Sequence, residues 1–301
     1  MKMIRVALTL FLLCPAFIAV QNNHSIPVIE TRGSGPQQLV LIGCGGCDWR
    51  SWETFMDRNK DLYTMHAVTL PGMGGVSPYS MPEDAKGTPL LDRYAADVAS
   101  FISRRGLKNV AIIGHSVGGT VTLKVALDHP QSVKKVLLID WGAVHHISMG
   151  LSQEEKLRRA EKRRADVRAM SDEAFHAQWP PMVSSEFRDP ERAPLYLDMF
   201  NKIDRLNSAQ LSYEMIIHDL RGRLAELKIP VGAIFAISAG ADREARRKEA
   251  RAVTEGARNF QMTFFEETGH WIMEDRPLEF DRAAAEFLSG RKMKGFSVKK
   301  K

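Results

Sequence analysis

Residues 110–119 read Val110-Ala111-Ile112-Ile113-Gly114-His115-Ser116-Val117-Gly118-Gly119, and residues 120–129 continue with helix composition. An apolar, β-branched run ends on a glycine, a serine follows two residues later, and a second glycine comes two residues after that. A strand that passes straight into a helix through so tight a turn leaves no space for side chains on either flank, hence glycine at both places. The turn would push the Ser116 hydroxyl out at the carboxyl edge of a sheet, where parallel sheets place their ligands. By composition alone, G-x-S-x-G arises in roughly one chain in ten of this length. Its surroundings must therefore carry the assignment.

Outward from this turn, short apolar runs alternate with longer amphipathic ones. Strands are predicted over residues 38–43, 64–70, 110–114, 135–140, 231–238 and 260–266. Several, such as Val136-Leu137-Leu138-Ile139, are apolar throughout, as burial on both faces requires. The expected fold class is α/β, a mostly parallel central sheet with helices on both faces. Between residues 141 and 227 the strand signals stop and charged, helical sequence takes over, which reads as a helical cap inserted between core segments 26–140 and 228–290. Its first helix is predicted over residues 152–170, with Ser152 as N-cap, Glu155 completing a capping box, and interleaved acids and bases forming a solvated, ion-paired face.

A serine hydroxyl is a weak nucleophile until a base takes its proton, and the base needs an acid to orient it. Thr268-Gly269-His270-Trp271 follows the last predicted strand and precedes Glu274-Asp275-Arg276-Pro277. With the serine turn, this ending resembles the α/β-hydrolase superfamily, in particular serine esterases with a helical cap. The resemblance covers about residues 28–289 outside the cap. It implies a serine hydrolase acting through an acyl-enzyme on a small carboxylic ester, with Ser116 as nucleophile and His270 as general base. Amide, carbon–carbon bond and acyl-transfer chemistry stay open.

The orienting acid is expected on the loop after strand 231–238, at Asp242, which gives the chain order serine, acid, histidine. Asp140, at the end of the preceding strand, holds the alternative place. The oxyanion hole is expected from the Val117 amide and from the loop Gly43-Cys44-Gly45-Gly46-Cys47, where the family usually shows His-Gly-x-Gly-Gly. Alignment puts the donor on Gly45. A further landmark, Asp-x-Pro-Gly-x-Gly, stands as Thr69-Leu70-Pro71-Gly72-Met73-Gly74, with Thr69 in the acidic position. His115 is expected beneath the serine turn, and His145 and His146, just inside the cap, at surface or packing positions ahead of the alternative of touching substrate. Trp141, Met149, Trp179, Met182 and Phe200 suit either an apolar acyl pocket or the core, and as a group are taken as core. No cofactor or metal is implied.

The chain has 301 residues, 44% hydrophobic and 26% charged, enough for one sizeable core. Lys2 and Arg5 precede an apolar run over residues 6–20, the layout of a signal peptide, so residues 1–20 are expected to direct export. That run is too short for a comfortable membrane span, although Phe17 before Ala19 departs from a small-x-small cleavage site and keeps an N-terminal anchor open. The net charge of +6 is matched by six basic residues between Arg291 and Lys301, a tail expected to be disordered. The body lacks a basic face, which argues against nucleic acid as partner; the resemblance implies a small-molecule ester instead. After removal of the leader, Cys44 and Cys47 remain as the one pair, and an oxidising compartment would join them. Two other functions compete: a thiol–disulfide redox protein using Cys44 and Cys47, and a non-catalytic ligand binder on the same scaffold.

Overall fold

The computed structural model describes residues 27–80, 88–187 and 190–297. The expected leader lies outside the described residues. Seven strands, β1 (Val28–Arg32), β2 (Gln37–Ile42), β3 (Tyr63–Thr69), β4 (Ala111–His115), β5 (Lys135–Ile139), β6 (Val231–Ile237) and β7 (Phe260–Glu266), form one sheet. Their order is β1-β3-β2-β4-β5-β6-β7. All pairings are parallel except β1 with β3. Six of these strands match the expected runs to within a residue or so at either end. β1 was not among them, because Glu30 and Arg32 give this short edge strand little apolar signal. Arg32 instead pairs with Glu53 at 3.0 Å and Asp57 at 2.7 Å.

Strand side chains alternate between the two faces. Val40 and Ile42 of β2 join one buried cluster with Ile112 and Leu138, whereas Leu39 and Leu41 join the other with Ile113 and Ile139. Helices cover both layers: α1 (Glu53–Asn59), α2 (Leu90–Arg104) and α3 (Val117–Asp128) follow the early strands. α3 is buried from Gly118 to Leu127, and its one buried cation, Lys124, is paired with Asp128 at 3.2 Å. Each Leu, Ile or Val closed off in this way contributes roughly 1.5–3 kcal/mol.

Between β5 and β6 the described chain is helical: α4 (Gln153–Ala169), α5 (Asp172–His176), α6 (Trp179–Glu186), α7 (Ala193–Phe200) and α8 (Arg205–Ile217). α4 opens with the anticipated capping box, Ser152 and Glu155 satisfying each other's backbone N–H. Its outer face carries Lys162–Asp166 at 2.7 Å and Arg164–Glu161 at 2.6 Å. α9 (Arg243–Ala252), α10 (Ile272–Asp275) and α11 (Pro277–Leu288) complete the fold. Among the described residues no helix is long and apolar enough to cross a membrane.

The tail departs from expectation. Residues 291–297 are ordered along the edge of β7: Phe296 N–H donates to Phe264 O at 3.0 Å, and Glu266 N–H to Phe296 O at 2.9 Å. Two apolar residues among the lysines account for this, since Met293 is buried and Phe296 packs near Phe265. Its last four residues lie outside the described residues.

One carboxylate fastens the helical insertion to the core. Glu214 of α8 accepts from the Leu90 and Leu91 amides at 2.8 and 2.9 Å, satisfying the exposed N–H groups that begin α2. Gln210 donates to the same side chain at 2.9 Å. Burial pushes the Glu214 carboxyl above its ordinary range, against the pull of those hydrogen bonds. Glu214→Ala should therefore cost about 1–3 kcal/mol in urea unfolding, as expected for orphaned buried donors, and Glu214→Gln should cost less.

Candidate active site

β4 ends beneath Ser116, whose backbone sits at φ 55°, ψ −122°, a conformation a serine adopts only under constraint. Its amide donates to Ile139 O of β5 at 3.1 Å. A Cβ on Gly114 would overlap Gly118 O and Thr122 Oγ1, and one on Gly118 would overlap the carbonyls of Ile42 and Gly43. The second glycine is thus required by the neighbouring loop after β2 as well as by the turn. Among the described non-glycine residues with positive φ, Ser116, Asp140 and Glu267 all line one cavity of about 1110 Å³ at the carboxyl ends of the strands.

The loop after β7 brings His270 to this cavity. Gly269 N–H donates to Asp275 Oδ2 at 2.6 Å, and His115 Nε2 donates to the His270 carbonyl at 3.0 Å. His115 is fully buried under the turn, and burial, followed by the proximity of His270, holds it well below the ordinary histidine range. The His270 side chain places Nδ1 2.7 Å from Asp140 Oδ2. A carboxylate only accepts, so Nδ1 carries the proton and neutral His270 presents Nε2 as a base.

This corrects the expected acid. Asp242 does not face His270: it is exposed at the N-terminus of α9, where its Oδ1 accepts from Glu244 and Ala245 N–H at 2.9 and 3.1 Å. Asp-Arg-Glu-Ala reads equally well as a helix start, and the unpaired amides of α9 claim the carboxylate. Asp140 occupies the place instead, its side chain 8% exposed. Its other oxygen accepts from Ala236 N–H at 2.9 Å and from Arg246 at 2.7 Å. Burial opposes its charged form, but the hydrogen bond from His270, the Arg246 cation and the Ala236 amide outweigh that and hold Asp140 below the usual carboxylate range.

Arg246 was not singled out in the sequence, where nothing distinguishes it within Arg243-Glu244-Ala245-Arg246-Arg247. It lies in the cavity wall, donates Nε to Ala236 O at 3.1 Å, and pairs with Glu249 at 3.2 Å.

The loop after β2 faces the serine. Gly45 lies against the Val117 side chain, and Cys44 and Gly45 line the cavity with Ser116 and Val117. Cys44 and Cys47 are joined by a disulfide and are both buried. A Cβ on Gly43 would sit 2.8 Å from Ser51 Oγ and 2.9 Å from Cys47 Cβ. Position 43 therefore has no room for the histidine that the resembled family usually carries there. Thr69, standing where an acid was expected, accepts from Trp49 N–H at 3.0 Å and fastens the far end of the loop. Met73 supports its middle, with Gly46 N–H directed at Sδ over 3.3 Å.

Three of the five residues taken as core, Trp141, Met182 and Phe200, line the cavity, as does Phe187, which stacks on Trp271 at 4.2 Å. His145 and His146 lie there too. Burial, with His146 and His270 nearby, lowers His145 to about 4, and its Nδ1 accepts from Ile147 N–H at 3.2 Å.

A family model described as "Alpha/beta hydrolase family" matches residues 39–283. The chain belongs to the alpha/beta hydrolase family. Among solved structures, this alpha/beta hydrolase is similar to an esterase from Exiguobacterium antarcticum (TM-score 0.70, 18% identity, 87% of this chain and 94% of that one). It is also similar to an enol-lactonase from Burkholderia xenovorans LB400 (TM-score 0.67, 19% identity, 87% and 96%). At these identities the likeness concerns the fold. Of curated relatives, the pimeloyl-[acyl-carrier protein] methyl ester esterase of Proteus mirabilis is 30% identical over 111 residues, 36% of this chain and 38% of that protein. The acetyltransferase component of an acetoin-cleaving system from Cupriavidus necator is 35% identical over 108 residues, 36% and 27%. The alpha/beta hydrolase chain thus spans well under half the length of either curated relative.

Asp242→Ala should cost about 0.5–2 kcal/mol of stability through the lost helix cap, and leave the NMR signal of the His270 Nδ1 proton in place. Asp140→Asn should move or abolish that signal. The reverse pattern would return Asp242 to the site.

Proposed function

We propose that the protein is a serine hydrolase of small carboxylic esters, with Ser116 as nucleophile, His270 as general base and Asp140 as orienting acid. The observation that carries this is the His270 Nδ1 to Asp140 Oδ2 contact of 2.7 Å, in a cavity that a strained Ser116 also lines. Neutral His270 accepts the Ser116 proton at Nε2 as Oγ attacks the ester carbonyl. Asp140 stays ionised and stabilises the imidazolium that forms. The amides of Val117 and Gly45 take the role of receiving the negative charge on the carbonyl oxygen, a reading supported by their place beside Ser116 in the cavity wall. His270 then returns the proton to the leaving alcohol, and water, activated by the same nitrogen, frees the acid from Ser116.

The apolar wall of Trp141, Val117, Met182, Phe187 and Phe200 suits an acyl or alcohol group of modest size. Ester chemistry fits because an alkoxide leaves with less help from a proton donor than an amine does. No observation favours the thiol–disulfide alternative, since both cysteines are buried and paired. Export remains our proposal from the leader's composition.

Ser116→Ala should lower turnover of a short-chain chromogenic ester by at least a thousandfold without changing the melting temperature by more than a few degrees. More than a tenth of wild-type activity would reject the nucleophile. In the wild type, kcat/KM should rise with pH through the histidine range. Asp140 is held below the usual carboxylate range and His115 and His145 below that of histidine, so none of them titrates in that window. His146, exposed at the cavity mouth, is the control: His146→Gln should leave the limb in place. A profile flat from about pH 5 to 8 excludes a histidine base.

The disulfide closes a ring too short to remove much unfolded-chain entropy, about 2 kcal/mol or less. Its effect should fall on the aim of the Gly45 amide. Reduction, or Cys44→Ser with Cys47→Ser, should lower kcat several-fold with a smaller proportional effect on the melting temperature. Unchanged kcat after reduction verified by mass spectrometry would remove the loop from the mechanism.

A further inference from the structure

Asp140 has two oxygens with different duties. Oδ2 faces His270, while Oδ1 is wholly committed to Ala236 N–H and to Arg246. The guanidinium is fixed along three directions: Nη2 to Asp140, Nε to the Ala236 carbonyl of β6, and Nη1 to Glu249 one turn further along α9. Its central carbon lies over the Phe235 ring, 5.5 Å from the ring centroid. A guanidinium so held cannot swing into the cavity as a free cation for substrate. It acts on the reaction through Asp140.

We propose that Arg246 is a positioning residue that sets the pH at which His270 becomes a base, by sharing the Asp140 carboxylate, with Glu249 as the counter-charge that limits its effect. This rests on the triad reading above. A carboxylate beside an imidazole stabilises the imidazolium. A permanent cation on that carboxylate's other oxygen opposes this, so His270 loses its proton at lower pH than it would with Asp140 alone. Glu249, bonded to the same guanidinium, works in the opposite direction. The other groups around His270 are the same in every variant compared. His115 and His145 are held neutral by burial, first of all, and Trp271 is uncharged. Arg243 and Arg247 of α9 are paired with Glu266. Glu267 and His146 in the cavity wall, and Asp275, which accepts from Gly269 N–H beside His270, are left unchanged in every variant.

The test is the NMR titration of the His270 imidazole in the full-length protein and three variants, which needs no turnover. Arg246→Gln keeps a donor for Oδ1 and removes the charge, and should raise the His270 midpoint by about one pH unit. Arg246→Lys keeps the charge and should hold the midpoint near wild type while lowering kcat a few-fold, because an ammonium cannot reproduce the fork. Glu249→Gln unscreens Arg246 and should lower the midpoint by a fraction of a unit. A merely structural role predicts lost stability with no movement of the midpoint. An Arg246→Gln midpoint at or below wild type overturns the proposal. Should that variant not fold, a Glu249→Gln midpoint that rises or stays put does so as well. In parallel, the rate of Ser116 labelling by a fluorophosphonate against pH separates the two ideas. Labelling of wild type that is absent in Ser116→Ala supports the hydrolase reading whatever the midpoints do, and its absence in wild type sinks that reading alone.

Discussion

The Asp140 carboxylate joins parts of the chain that are far apart in sequence. Through its two oxygens it meets the loop after β7 at His270, the backbone of β6 at Ala236, and α9 at Arg246. A buried anion is costly unless every lone pair is engaged. Here the engagement is complete enough that the carboxyl stays below its usual range in spite of burial. The geometry that makes the charge tolerable also aims the imidazole. The positive φ of Asp140, 47°, is a local strain that this network is able to hold.

The serine turn imposes the complementary constraint. Gly118 must pass against the carbonyls of Ile42 and Gly43, so the turn and the loop after β2 are positioned by one another. Ser116 and the two amides proposed to receive negative charge are consequently parts of one packed unit. Thr69 and Met73 extend that unit to the loop after β3, through Trp49 and Gly46.

Much of this was legible in the residues. Parallel strands buried on both faces announce themselves as apolar runs, and β4 to β7 and the serine turn were located on that basis. That Ser116 and His270 would meet at one cavity follows from strand-end positions that the chain order makes distinctive. The acid was harder, because Asp140 and Asp242 each lie in the connection after a strand, and only the three-dimensional course decides which faces the imidazole. Asp242 was claimed by the open amides of α9, a competition between helix capping and side-chain chemistry that sequence spacing does not resolve. β1 escaped notice because an edge strand that displays Glu30 and Arg32 has a weak alternation. Arg246 escaped because one arginine among several on a polar helix carries no signal until its partner, 106 positions away, is known. For Trp141, Met182 and Phe200 core was ranked ahead of pocket, since an apolar cavity wall and an apolar core have the same composition.

The ordered stretch before the C-terminus has a further consequence. β7 is the last strand of the sheet, and its outer edge would otherwise offer a row of unpaired amides and carbonyls to any passing strand. The backbone of Phe296 occupies part of that row, from Phe264 to Glu266, and lysines flank it on both sides in the sequence. The chain thus closes its own sheet with a short segment whose charged neighbours discourage a further strand from docking. A stretch that looks like a solvated appendage works as protection against edge-to-edge self-association.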